Sequence, residues 1–368
     1  MPSSVPSSGK LPIDISWSGP LCAAVALLSA LAACSAPGPR ARTAPPGGIL
    51  LKGAGATLPA PLFKQWFDAY QQANPKVVVE YDAVGSGEGI RRFTGVNVEP
   101  QERVDFGASD AAMTDSQMAQ VPHGVLLLPV TATGVVLAYN LPDLPRPLRL
   151  SRKAYSGIFL GEIKSWDDKR IAAANPGVKL PRLTIVTAVR QDASGTTFAF
   201  TNHLSAISHA WHDSYGAATL VNWPGASMRG KGNERVAALI QTAVGSVGYV
   251  GLEFARKLGL KTALLENKDG HFVPPTDESV VAALASAELP ENLRLFVPDP
   301  AGNGAYPIVT FSWVLLYRDS SDSAKAQALR DLFGWSLRDG QNYARQVGYV
   351  PLPAAVGEKA LAALAPGR

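Results

Sequence analysis

Two kinds of apolar pattern alternate along most of this chain, and that alternation restricts its fold more than any other feature. Residues 61–74 (PLFKQWFDAYQQAN) place Leu62, Phe63, Trp66, Phe67 and Tyr70 at the spacing of one helix face. Residues 77–84 (VVVEYDAV) follow at once and are rich in the β-branched side chains of a strand. Further helices are expected from Gly89, over 114–120 with Thr114 and Gln117 as a capping box, near 152–159, and over 195–205, 234–241, 324–339 and 341–347. Strands are expected over 104–108, 125–130, 135–139, 183–189, 247–250 and 308–317. Alternation of this kind predicts an α/β fold with mostly parallel sheets. In such sheets ligands bind beyond the carboxyl ends of the strands, where loops enter helix N-termini.

The length of 368 residues suits two domains of ordinary size, and 46% hydrophobic with 17% charged residues is a globular balance. The formal charge of +4 is spread along the chain. It permits a small anionic ligand, whereas nucleic acid would call for a clustered basic patch interleaved with aromatics. The only cysteines are Cys22 and Cys34, so the body can form neither an internal disulfide nor a cysteine-based metal site. His209 and His212 stand three apart with no carboxylate at ligand spacing and read as a surface helix. No metal and no cofactor are expected.

Residues 1–33 read as an export signal whose apolar core is 20–33 (PLCAAVALLSALAA), too short for a comfortable membrane span. Leu31-Ala32-Ala33-Cys34 resembles the lipobox of bacterial lipoproteins, which implies cleavage and lipidation (palmitate) at Cys34. Residues 34–49 are rich in Pro, Gly and Ala and read as a flexible tether. The expected location is outside the cytoplasmic membrane, on a lipid anchor.

Three strand–helix junctions share one chemistry. They are Gly53-Ala54-Gly55-Ala56-Thr57-Leu58-Pro59, Gly85-Ser86-Gly87-Glu88-Gly89 and Asp192-Ala193-Ser194-Gly195-Thr196-Thr197. Thr57 is placed as an N-cap, with Pro59 near the first helical turn. Each junction offers backbone N–H groups and hydroxyls at the positive end of a helix, where anions bind. None is a phosphate-binding P-loop and none has dinucleotide-fold spacing. Arg190, four residues before Ser194, adds a rigid fork of donors suited to a tetrahedral oxyanion. Asp192 stands two residues from Arg190 and can orient it.

Asp110 follows a short strand in Asp105-Phe106-Gly107-Ala108-Ser109-Asp110. It either caps the next turn or accepts a proton from an anion that carries one. Phosphate near neutral pH keeps a P–OH, whereas sulfate would set lone pairs against a carboxylate, a mismatch of roughly 2–5 kcal/mol.

At these residues the chain resembles the PstS family, the substrate-binding proteins of phosphate ABC transporters. The matching segments run in family order from about residue 50 to 350. They are 53–57 (GAGAT), 105–110 (DFGASD), 161–168 (GEIKSWDD), 194–198 (SGTTF), 230–233 (GKGN) and 247–250 (VGYV). The resemblance implies a periplasmic-binding-protein type II-like fold, two α/β lobes joined by a hinge with a ligand cleft between them. Lobe one would hold 50–130 and 307–368, and lobe two 131–306. The implied phosphate contacts are the Thr57 and Ser86 hydroxyls, the Leu58 backbone N–H, the Asp110 carboxylate, Arg190, and Ser194, Gly195 and Thr196, with Asp192 bracing Arg190. Leu58 stands where an aromatic is common, Ala193 where Gly is frequent, and Val189 where some members carry a second Arg. The implied partners are inorganic phosphate and the permease subunits of an importer, with the binding protein a monomer. Other oxyanions (sulfate, arsenate, molybdate) and a phosphatase-like hydrolase are the alternatives. The hydrolase is disfavoured because neither Ser86 nor Ser194 sits in a nucleophile elbow and no histidine has a motif partner.

Overall fold

The computed structural model describes residues 43–365 except 143 and 286. The expected signal segment, the expected lipidation site Cys34 and most of the expected tether lie outside the described residues. The chain runs β1 (Ile49–Gly55), α1 (Ala60–Ala73), β2 (Val77–Ala83), α2 (Ser86–Thr94), β3 (Phe106–Ser109) and β4 (Val125–Tyr139). After helix α3 (Arg152–Phe159) come β5 (Val186–Arg190), α4 (Gly195–Ile207), β6 (Ser227–Gly230), α5 (Gly232–Thr242), β7 (Ser246–Gly251) and α6 (Leu252–Lys257). Strand β8 (Val309–Tyr317) and helices α7 (Ser323–Leu337) and α8 (Ala354–Ala363) end the described fold.

These strands form one sheet in the order β2-β1-β3-β8-β4-β7-β5-β6, with the short strand Lys261–Thr262 also on β4, and a separate three-stranded sheet pairs Arg149–Leu150, Leu264–Glu266 and Phe272–Val273. The two ends of the large sheet are parallel: β2-β1-β3 on one side and β7-β5-β6 on the other. Its centre is antiparallel, because β8 pairs antiparallel with both β3 and β4, and β4 with β7. The expectation of mostly parallel sheets therefore fits the two ends and fails in the middle, where two long strands run in opposite senses.

Residues 125–130 and 135–139, expected as separate strands, belong to the single 15-residue strand β4. Pro129, the threonines and Gly134 read as a break in the sequence. In the fold, the register of β4 against β8 shifts between Ser312 and Trp313, opposite Thr131 and Pro129, and this bulge accommodates a residue that cannot donate to the ladder.

Helix α1 buries Leu62, Phe63, Trp66, Phe67 and Tyr70, the face read from the sequence. Phe67 meets Phe106 of β3 edge-on at 6.0 Å and Phe333 of α7 at 6.5 Å. Each large side chain buried here contributes roughly 1.5–3 kcal/mol. A second aromatic cluster of Phe159, Phe200, Trp223 and Tyr249 packs α3 and α4 onto β7. His209 and His212 lie exposed on a short helix, His209–Ser214, and no group of His, Cys, Asp and Glu suited to a metal occurs among the described residues. No helix among them is long and apolar enough to cross a membrane.

Candidate functional site

The loops that leave β1, β2, β3, β5 and β6 at their carboxyl ends bring together residues far apart in sequence. Ser86 Oγ accepts the backbone N–H of Asp110 at 3.2 Å and that of Gly195 at 3.1 Å. Thr57 Oγ1 accepts the backbone N–H of Asn233 at 3.2 Å and its Nδ2 at 3.0 Å. The Asn233 amide also donates to Thr196 Oγ1 at 3.1 Å. Thus the residues around Thr57, Ser86 and Asp110 meet those around Arg190 to Thr196 directly.

This contact is close enough to require glycine. A Cβ on Gly195 would lie 2.6 Å from the Asp110 carbonyl carbon. Gly85, at φ +101°, faces Asp192 so closely that a Cβ would sit 2.3 Å from its Oδ2. Gly87 N–H donates to the Ala193 carbonyl at 3.0 Å.

Arg190 ends β5 and is buried. Its Nε donates to Asp192 Oδ1 at 2.8 Å and its Nη2 to Oδ2 at 2.5 Å, a two-point clamp. Its Nη1 faces Thr196 Oγ1 at 3.4 Å. Burial pushes the Asp192 carboxyl up, but Arg190 and the Gly232 N–H outweigh it and hold the group below the usual carboxylate range. Asp192 therefore stays ionised and aims the guanidinium.

Asp110 is 1% exposed. Its Oδ1 accepts from Ser312 Oγ at 2.7 Å, and its backbone carbonyl accepts from Thr310 Oγ1 at 3.1 Å. Burial raises its carboxyl to about 7, against the lowering effects of Ser312, Arg190 and Thr196. The group can hold or release a proton near neutral pH.

Two local expectations are corrected. Thr57 is not an N-cap: α1 starts at Ala60 with Pro59 in the cap position and no side-chain cap, and the Thr57 hydroxyl is turned to Asn233. The second helix begins at Ser86 rather than Gly89, and its first turn holds two glycines, Gly89 packed on Gly55 of β1 and Gly87 packed on Ala193. Ser194 is the N-cap of α4, where its Oγ accepts the Thr197 N–H at 3.2 Å. Leu58 is buried, and its carbonyl accepts the Tyr349 hydroxyl.

Sequence reasoning assigned no role to Asn233, Ser312 or Glu253. Asn233 sits in the first turn of α5, a fourth helix N-terminus at the site, signalled by Gly230-Lys231-Gly232 before an amphipathic run. Ser312 carries no such signal, because it and Thr310 are isolated hydroxyl residues in an otherwise apolar strand. Glu253, near the start of α6, is buried; its Oε2 accepts from Thr133 Oγ1 at 3.0 Å, and its Oε1 has no hydrogen-bond partner among the described residues. Burial lifts its carboxyl to about 8; a backbone N–H and Thr133 oppose this and Asp110 adds to it.

That shift has a testable sign. The folded chain keeps a proton on Glu253 that the unfolded chain loses above about pH 4.5. The stabilisation is full below that pH and is lost as pH rises through about 8. Glu253→Gln is expected to flatten this fall and to exceed the wild type in stability at pH 9 by on the order of 2–3 kcal/mol. Urea unfolding at pH 5 and pH 9 checks it; equal pH slopes for the two proteins would count against a buried protonated Glu253.

A family model described as a PBP superfamily domain matches residues 35–337. The chain is 37% identical over 308 residues to a protein of Xylella fastidiosa named phosphate-binding protein PstS, covering 83% of this chain and 82% of that one. It is 36% identical over 343 residues to a protein of the same name from Methanocaldococcus jannaschii, covering 87% and 86%. Among solved structures, a high-affinity periplasmic phosphate-binding protein (PfluDING) bound with phosphate superposes with a TM-score of 0.70 at 21% identity, covering 87% of this chain and 96% of that one. A phosphate-binding protein from Stenotrophomonas maltophilia gives 0.68 at 19% identity, covering 85% and 93%. The structural likenesses establish the two-lobed α/β periplasmic-binding-protein fold, and the sequence relatives establish the narrower group: the chain belongs to the PstS family of phosphate-binding proteins.

Proposed function

We propose that this protein binds inorganic phosphate between its two lobes and delivers it to the permease subunits of an ABC importer, without chemical turnover. One observation carries the reading. Helix N-termini, a clamped guanidinium and one carboxyl able to exchange a proton near pH 7 converge on one point. That set matches a tetrahedral anion rich in acceptors that also bears a single proton. Thr57, Leu58, Ser86 and Asp110 face it from lobe one, and Arg190, Ser194, Gly195 and Thr196 from lobe two, with Asp192 bracing Arg190. Lobe one comprises 50–130 and 307–368 and lobe two 131–306, so that β4 and β8 carry the hinge. The direct hydrogen bonds from Gly195 to Ser86 and from Asn233 to Thr57 support closure of the lobes over the ligand. Signal 1–33, lipid-bearing Cys34 and tether 34–49 would export the monomer and hold it on the outer face of the membrane.

The test is equilibrium dialysis of purified protein stripped of bound anion by partial unfolding and refolding. One labelled phosphate per chain is expected, with no hydrolysis of a chromogenic phosphate ester. A refolded chain that takes up no phosphate, or that turns over the ester, would remove the reading.

A further inference from the structure

A hydroxyl has one proton to give and two lone pairs to receive with. In this cleft the lone pairs are already taken. Thr57 Oγ1 receives both the backbone N–H and the Nδ2 of Asn233. Thr196 Oγ1 receives Arg190 Nη1 and Asn233 Nδ2. Ser86 Oγ receives the N–H groups of Asp110 and Gly195. Each hydroxyl therefore has only its proton left to offer, and the proton of Thr196 is also within reach of the Asp110 carboxylate.

The orientation of the Asn233 amide is not arbitrary. Its Oδ1 accepts the backbone N–H of Gly251 at 3.1 Å. A backbone N–H can only donate, so the atom facing it is the oxygen and the atom facing both threonines is the nitrogen. Asn233 is fully buried, and its two amide hydrogens go to one threonine from each side of the cleft. A directed chain results, from Gly251 N–H through Asn233 to the two hydroxyls.

We infer that Asn233 is a positioning residue that locks the Thr57 and Thr196 hydroxyls as donors, so that neither can accept the ligand's proton and that proton is left to Asp110. The inference rests on the phosphate-binding reading. Asparagine has the right shape for the task because it presents a donor on one side and an acceptor on the other. Aspartate, of the same size, would still satisfy Gly251 but would accept from both threonines and turn their protons away from the ligand.

The experiment titrates phosphate into purified, stripped wild type, Asn233→Asp and Asn233→Ala at pH 8 and pH 5. Wild type binds at both. Asn233→Asp is expected to bind about 100-fold more weakly than wild type at pH 8, two hydrogen bonds to a charged ligand being lost. The ratio should shrink at least about tenfold at pH 5, where protonation of the introduced carboxyl restores a donor. Asn233→Ala, which leaves the hydroxyls free to turn, should lose only about tenfold, with the same ratio to wild type at both pH values. Equal losses in the two variants with a pH-independent ratio for Asn233→Asp would mean that residue 233 only fills space, and would overturn the inference while leaving the phosphate site standing. Tight binding by Asn233→Asp at pH 8 would overturn it as well. If wild type itself binds no phosphate, the inference falls together with the function on which it rests.

Discussion

Arg190→Met is expected to weaken phosphate binding at pH 8 by about 100- to 3,000-fold. Arg190 is the buried cation of the site, and truncating one partner of a buried charge pair costs about 3–5 kcal/mol. The loss has two parts. One is the contact to the anion proposed for Arg190. The other is Asp192, left without the guanidinium that now holds it ionised. Without that partner, burial dominates and the Asp192 carboxyl shifts upward. The single variant should therefore also lose stability, by about 3 kcal/mol. The double variant Arg190→Met/Asp192→Asn separates the two: it should regain most of the stability and none of the affinity. Denaturant unfolding and phosphate titration of both variants check this, and a double variant that recovered affinity would show that Arg190 serves only to pair Asp192.

Asp110→Asn should change the choice of anion more than the strength of binding. Above about pH 7 the wild-type carboxylate opposes any ligand without a proton to share. An Asn side chain keeps the acceptor for Ser312 and turns a donor toward the ligand. Sulfate affinity is expected to rise on the order of 100-fold at pH 8.5, because a like-charge contact worth several kcal/mol is removed. Phosphate affinity should fall only about tenfold, the cost of one hydrogen bond exchanged. The pH dependence follows from the raised carboxyl. In wild type, sulfate binding should strengthen by about tenfold per unit as pH falls from 9 toward 7, because protonated Asp110 can donate to it, and should level off below. In Asp110→Asn that dependence should vanish. Calorimetric titration with sulfate across this range reads both effects.

Much of the fold was legible because its elements follow strong periodic patterns. The amphipathic stripe of α1 and the apolar strand β8 lie within one or two residues of their expected bounds. So does α4, whose Ser194 cap is plain in the sequence. The elements that escaped reading lack such patterns. Strand β6 is Ser-Met-Arg-Gly, held by pairing with β5 rather than by apolar content. Strand β4 looked like two strands because Pro129 and the polar run from Thr131 to Gly134 interrupt its apolar character. Of those two threonines, Thr133 donates to Glu253, while the buried Thr131 hydroxyl has no hydrogen-bond partner among the described residues.

The site was legible to the extent that each component has a local signature. Gly and hydroxyl residues before a helix mark α2 and α4, and Arg190 and Asp192 are two residues apart. Asn233 and Ser312 act only because α5 and β8 are brought to the other loops, a proximity that no local spacing encodes. Thr57 shows the opposite error, since a local rule made it a cap while a contact 176 residues away determines where its hydroxyl points.

The proposed cleft selects an anion that carries a proton. The most direct measurement is calorimetric titration of stripped wild-type protein at pH 8.5, with phosphate in one run and sulfate in another. One phosphate per chain with strong heat, and no heat from sulfate at millimolar concentration, is the predicted result. Sulfate binding as tight as phosphate at that pH would contradict it, because Asp110 would then not face the ligand.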